Sequence, residues 1–191
     1  MRRDRAFVPL LDAVGAFEVR RRRPYFWLLC CAILSQQVSG AAARTIIGRV
    51  KALYPDVRFP KPEAILATPA RRFRAAGVSR QKARYIHALA REFYDGGTLA
   101  RVHFSRLDDD EIMQRLTAIV GIGRWTAEMF LMFSMRRPDV FPIDDLGIRR
   151  SMEIFFGIDD REAMVERAER WRPYRTVASV YLWRAQATDL V

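Results

Sequence analysis

A glycine pair and a pair of adjacent acids are the features of this chain best placed to do chemistry. Gly121 and Gly123 flank Ile122, and Arg124 follows them. Glycine tolerates φ > 0 and puts no Cβ in the way, so the pair predicts a tight hairpin. A hairpin feeding straight into a helix leaves that helix's first N–H groups without intrahelical acceptors, and such groups suit an anionic oxygen such as a DNA phosphate. Arg124 adds positive charge beside them. Downstream, Asp144 and Asp145 precede Leu146, Ile148, Met152, Ile154 and Phe155, an apolar run with helical spacing. One of the two acids is expected to cap that helix. The positive end of a helix dipole favours an ionised carboxylate, which is the form a general base or a stabiliser of developing cation must take. A glycine pair alone is an everyday turn signal. Its combination with the paired acids points to a site.

The elements that must position these groups are helical. Asp108 and Glu111 stand ahead of Ile112, Leu116 and Ile119 in the pattern of an N-terminal capping box, so a helix is expected to run to about Val120. Beyond the glycines, Trp125, Met129 and Met132 with Thr126, Phe130 and Phe133 continue as a second helix that Pro138 ends. Earlier in the chain, Phe7, Leu10, Leu11, Val14 and Phe17 predict a first helix, Arg20 to Arg23 form a basic run, and Pro24 opens a helix from Tyr25 to about Gln37. Ser39 is a cap for Gly40 to Leu53, short proline-bounded helices follow as far as Gly77, and Ser79 caps an amphipathic helix carrying Ala83, Ile86, Leu89, Ala90 and Phe93. Asp159 or Asp160 starts another helix, and Pro173 starts the last, which holds Val177, Val180, Tyr181 and Trp183. The reading is all-α, with about nine or ten helices and no strand-like alternation beyond Val140 to Ile143.

At 191 residues the chain can bury a sizeable core as one compact domain or two closely joined subdomains. Lys and Arg total 33 against 22 acids, a net charge of +11, and the basic residues are almost all arginine. Such an excess steers and holds nucleic acid, although an arginine-rich composition alone gives the same balance. No apolar run reaches membrane-spanning length and the start lacks a signal-peptide core, so a cytoplasmic, nucleoid-associated protein is expected. Cys30 and Cys31 are adjacent, which suits neither a metal site nor an ordinary disulfide, and they read as core. His87 has no Cys or acid at ligand spacing and reads as a packing or surface residue. No metal site built from side chains is expected.

The run Leu116, Val120, Gly121, Ile122, Gly123, Arg124, Trp125, Thr126, Ala127 resembles the hairpin L-x-x-x-P-G-I-G-R-W-T-A of the helix-hairpin-helix (HhH-GPD) DNA glycosylases, closest to the alkylbase or 3-methyladenine DNA glycosylase II enzymes. AILSQQVSGAAARTIIGRV at 32–50, GVSRQKARYIHALA at 77–90 and WRPYRTVASVYLW at 171–183 resemble further segments of the same family, so the likeness covers nearly the whole chain. It implies a single HhH-GPD domain over 1–191, built as two helical subdomains flanking a cleft. One would comprise roughly 1–29 with 130–191, the other 30–129, with the helix-hairpin-helix at about 109–135. It makes Asp145 the catalytic carboxylate and Asp144 a cap or supporting residue. Gln37, in preference to Gln36, becomes the wedge that fills the duplex space left by a flipped nucleotide. Trp125, Met129 and Trp183 would line the base pocket, with Tyr25 and Trp27 as further candidates. Gly121, Gly123, Arg124 and Thr126 would hold a DNA phosphate.

The implied activity is monofunctional excision of alkylated purines, such as 3-methyladenine and 7-methylguanine, from damaged double-stranded DNA by a monomer. These bases are already cationic, so they are good leaving groups and stack on electron-rich rings. Bifunctional relatives place a lysine nucleophile where this chain has Trp125, so no strand cleavage is expected. No cofactor is required, a monovalent cation on the hairpin's backbone carbonyls is admitted, and no iron–sulfur cluster is expected because its cysteines are lacking. Val120 replaces a proline of the family pattern, and Met129 replaces a tyrosine found in some relatives. Two other readings stand beside this one. One is a glycosylase of the same fold for deaminated, etheno or oxidised bases. The other is a non-catalytic helix-hairpin-helix DNA-binding protein, which would need neither the acid nor the pocket tryptophan.

Overall fold

The computed structural model describes residues 4–17 and 24–186; the basic run Arg20 to Arg23 lies outside them. The described residues form helices joined by turns, with no strand among them. In order they are α1 (Val8–Val14), preceded by a 3₁₀ turn Arg5–Phe7, then α2 (Tyr25–Ser35), α3 (Gly40–Ala52), α4 (Pro62–Ala67), α5 (Ala70–Ala75), α6 (Arg80–Phe93), α7 (Asp109–Thr117), α8 (Arg124–Met129), α9 (Leu146–Phe156), α10 (Arg161–Glu169) and α11 (Arg175–Ala185). After α8 the chain winds on as a π-helix over Phe130–Met135.

Local hydrogen bonding sets most of the helix starts. Asp108 and Glu111 form a complete capping box on α7, each side chain bonding the other's backbone N–H. Ser39, Ser79 and Asp160 cap α3, α6 and α10 through the N–H groups of Ala42, Lys82 and Ala163. Differences from the sequence reading are small. Pro24 is the residue before α2 rather than its first, and α2 stops at Ser35 because Gln36 and Gln37 leave helical geometry.

Two compact units divide the chain, Arg22–Phe130 in one and Met1–Arg21 with Leu131–Val191 in the other. The sequence reading set the first boundary near residue 30, inside what is the unbroken helix α2; the whole of α2 belongs to the central unit. That unit is built around Leu29, Ile33, Leu34, Val50, Ile65, Phe73, Ile86, Leu89, Ile112 and Leu116, all fully buried. Tyr25 packs edge-on against Phe104 and Phe130 there, and Trp27 is buried, so Trp27 is core rather than pocket. Cys30 is buried and Cys31 half-buried; burial pushes the Cys31 thiol up to about 12, which leaves it a poor nucleophile.

The other unit packs Phe7, Leu10, Ile148, Met152, Met164, Trp171 and Leu182 into one cluster. Asp4 ties the start of the chain into it. Its carboxylate accepts Arg167 Nη2 at 2.7 Å and the indole N–H of the buried Trp171 at 3.0 Å. In the same unit, Asp139 accepts two nitrogens of Arg175 at 2.8 and 2.9 Å and one of Arg172 at 2.7 Å. Burial acts to raise both carboxyls. The donors from Trp171 and Arg167 at Asp4, and from Arg175 at Asp139, outweigh it, and both acids lie below the usual carboxylate range.

A folded value below the unfolded one gives stability that is fully present above about pH 4 and is lost as pH falls through the folded value. Asp4→Asn is therefore expected to lower stability by about 1.5–3 kcal/mol at neutral pH, the worth of hydrogen bonds to a charged group. It should also shrink the further loss between pH 5 and pH 3. Urea melts of both proteins across that range check this, and an unchanged acid limb would contradict it.

Candidate functional site

Asp145 is held from three directions. Its own N–H donates to the Pro142 carbonyl at 2.9 Å, closing the turn before α9. Its Oδ1 then accepts the backbone N–H of Ile148 at 2.9 Å, capping α9, and the indole N–H of Trp183 at 2.8 Å. The cap is thus Asp145 itself. Asp144, expected as a cap or support, instead pairs with Arg161 at 2.6 Å. Trp183 comes from α11, where its ring also stacks on Phe133 at 6.1 Å between centroids.

Sequence reasoning missed two residues that complete this corner. Gly147 is tightly enclosed by side chains. A Cβ there would stand 3.0 Å from Asp145 Oδ1, 3.2 Å from Trp183 and 3.3 Å from Gln186. Gln186 donates to the Gly147 carbonyl at 2.6 Å and to Ser151 at 2.7 Å, and Ser151 donates to Leu182 O at 2.9 Å, so α9 and α11 are laced together behind the acid. A glycine in a helix's first turn, where a better helix former costs less, was the available signal for Gly147. Gln186 gave none.

The glycine hairpin lies in the other compact unit. Gly121 takes φ +94° with its backbone against the Tyr85 ring, so both its conformation and its missing Cβ are needed. Gly123 differs from the expectation of positive φ. It has φ −91°, precedes α8 as N-cap residue, and a Cβ on it would meet nothing within 4 Å. The first helical bond of α8 runs from Ala127 N to Gly123 O, so the amides of Arg124, Trp125 and Thr126 are the ones that precede it. Thr126 is buried, so its hydroxyl is not on the surface. Arg124 is mostly exposed but gives its Nε to Glu128, a buried carboxylate one turn on, at 2.9 Å. Its i,i+4 spacing was the missed signal. Val120, in place of the family's proline, stands exposed at the hairpin.

The two glutamines separate cleanly. Gln36 turns inward and its Nε2 donates to the Gly121 carbonyl at 2.9 Å, bracing the hairpin from the turn that follows α2. Gln37 is exposed, with φ +53° in the left-handed region, a conformation uncommon for a residue with a side chain. Trp125 is 40% exposed, enough face for an aromatic ring to stack on, and Met129 is half-buried one turn later. Trp125 and Met129 belong to the central unit, Asp145 and Trp183 to the other. Among the described residues no group of three or more His, Cys, Asp or Glu side chains comes together to hold a metal, and no helix is long and apolar enough to cross a membrane.

Fold and site together define a helix-hairpin-helix protein with a tethered carboxylate at a helix start. A family model described as HhH-GPD superfamily base excision DNA repair protein matches residues 30–175, and the chain belongs to that family. It is 36% identical over 182 residues to DNA-3-methyladenine glycosylase 1 of Schizosaccharomyces pombe, covering 92% of this chain and 79% of the relative. The fold is similar to that of the S. pombe 3-methyladenine DNA glycosylase in complex with abasic DNA, with a TM-score of 0.88 and 32% identity over 98% of this chain and 94% of that one. A DNA-3-methyladenine glycosidase from Bacillus halodurans gives a TM-score of 0.83 at 33% identity, covering 96% and 85%.

The two glycines should behave differently. Gly121→Ala is expected to cost about 2 kcal/mol or more, seen as a fall of ~4–8 °C in Tm, because it is strained and meets Tyr85. Gly123→Ala should melt within about 1–2 °C of wild type. Equal losses in thermal melts would refute the assignment of the strained turn to Gly121 alone.

Proposed function

We propose that this chain is a monofunctional DNA glycosylase that flips alkylated purines out of double-stranded DNA and hydrolyses their N-glycosidic bond, acting as a monomer at the start of base excision repair. The observation that carries the reading is the doubly tethered carboxylate of Asp145, whose Oδ1 takes both the Ile148 and the Trp183 N–H groups. Breaking an N-glycosidic bond builds positive charge on the deoxyribose. A fixed carboxylate stabilises that charge and orients or deprotonates the attacking water.

Around that chemistry the other residues take distinct parts. Gln37, exposed on its turn, fills the gap a flipped nucleotide leaves, which offsets part of the few kcal/mol that unstacking costs. Trp125, with Met129 one turn on, offers its indole to the base, and an electron-poor alkylated purine stacks well on indole. The amides of Arg124 to Thr126, opened by Gly121 and Gly123 and helped by the Arg124 charge, hold a backbone phosphate. Hydrolysis itself needs no cofactor. Ile119 and Gly121 each spend one carbonyl lone pair, on Ile122 N and Gln36 Nε2, and each keeps another that a monovalent cation can take. With Trp125 where bifunctional relatives carry lysine, no Schiff base forms, and borohydride should trap no covalent adduct with an abasic duplex.

The deciding measurement is free-base release from methylated duplex DNA by wild type and Asp145→Asn, with binding to an abasic duplex in parallel. Asparagine keeps an acceptor oxygen at the helix cap, so the fold should hold. Excision is expected to fall on the order of 10²–10⁴-fold with binding retained. Absence of base release by wild type would overturn the reading. Trp183→Phe keeps a ring against Phe133 but removes the donor to Asp145, and should cost on the order of tenfold in excision rate at unchanged abasic-duplex affinity.

A further inference from the structure

The long helix α6 carries a second basic site on the face turned away from the hairpin. Arg80, Arg84 and Arg91 from α6 and Arg74 from α5 line one hollow of about 380 Å³, with His87 at its floor and no carboxylate in its walls. None of the four guanidinium groups has an ion-pair partner among the described residues, and all four arginines are exposed. His87 makes the hollow rigid. Its Nε2 lies 3.2 Å from Ile65 O and 3.1 Å from Thr68 O, and its ring stands edge-on to Phe73, so α6 is pinned to the α4–α5 corner.

At roughly 100° per residue, Arg80, Arg84, His87 and Arg91 fall within about 60° of one another around α6. Tyr85, whose ring meets Gly121 of the hairpin, is roughly 100–140° away from the three arginines. A phosphate seated on the hairpin amides and one seated in this hollow therefore lie on different sides of the same helix. The stripe from Arg80 to Arg91 is about 16 Å long at 1.5 Å per residue. A lone phosphate covers only a fraction of that length, whereas a nucleic-acid backbone presents charge along all of it, one per about 1.7 Å of duplex axis. In the free protein these exposed charges are balanced only by mobile ions of the solvent, which a bound polyanion would release.

The geometry points to a second DNA-binding site, one that grips the phosphate backbone of another duplex segment while the hairpin holds the first. It extends the proposed function and depends on that reading only for duplex DNA as the ligand. Excision at Asp145 is not part of it.

The test immobilises an abasic duplex, saturates it with wild-type protein or with Arg80→Gln/Arg84→Gln/Arg91→Gln, and measures capture of a second, labelled undamaged duplex. Wild type should capture it, with light scattering giving one copy of the chain per two duplexes. The triple variant should lose capture about tenfold or more while its affinity for the abasic duplex and its base release stay within about twofold of wild type. Capture undiminished in the variant, or capture requiring two copies of the chain, would overturn the proposal. So would loss of abasic-duplex affinity in step with capture, which would make the stripe part of the first footprint. Inorganic tripolyphosphate supplied alone provides the remaining arm, since saturable binding of it without any duplex capture would assign the hollow to a free oligophosphate and reject the DNA site.

Discussion

A single carboxylate oxygen carries the organisation of the unit that holds Asp145. Asp145 Oδ1 completes α9 by accepting Ile148 N–H and joins α11 by accepting the Trp183 indole. Either bond alone is ordinary. Together they fix both the position and the rotation of the side chain, and everything nearby is shaped to permit them. Gly147 stays without a Cβ, Gln186 and Ser151 lace the two helices, and Pro142 closes the turn that aims the backbone. Orientation built into the resting protein need not be imposed later at the reacting centre, and this is how fixed dipoles and charges help most.

The hairpin unit works by a different constraint, close approach of backbone. Gly121 sits where a Tyr85 ring leaves no space, and Gln36 holds its carbonyl from the turn after α2. The cluster of Tyr25, Phe104 and Phe130 packs within the same unit. Arg124, beside the hairpin amides in sequence, is partly committed to Glu128, so its charge is less available there than the sequence suggests.

Features encoded by neighbours in sequence were legible. The Asp108–Glu111 box, the serine caps and the helix after the glycines follow from spacings of three and four residues, and the structure has them. Contacts between distant segments were not legible. The Trp183 bond to Asp145 crosses 38 positions, and nothing in local pattern distinguishes a tryptophan that donates to an acid from one that fills a core. The π-turn after Met129 was equally silent, since apolar residues at helical spacing look the same whether the chain winds four or five residues to the bond. Asp144 and Asp145 could be told apart only by resemblance, because two adjacent acids before a helix are equivalent until one of them is seen to accept the Ile148 amide.

The bond from Gln36 to Gly121 has a mechanical meaning. The exposed Gln37 is covalently next to the residue that clasps the hairpin, so the turn after α2 and the hairpin form one bracket joined by a single side-chain bond. A displacement of the Gln37 backbone is thus carried through its neighbour Gln36 to the Gly121 carbonyl, so the two turns move together rather than independently.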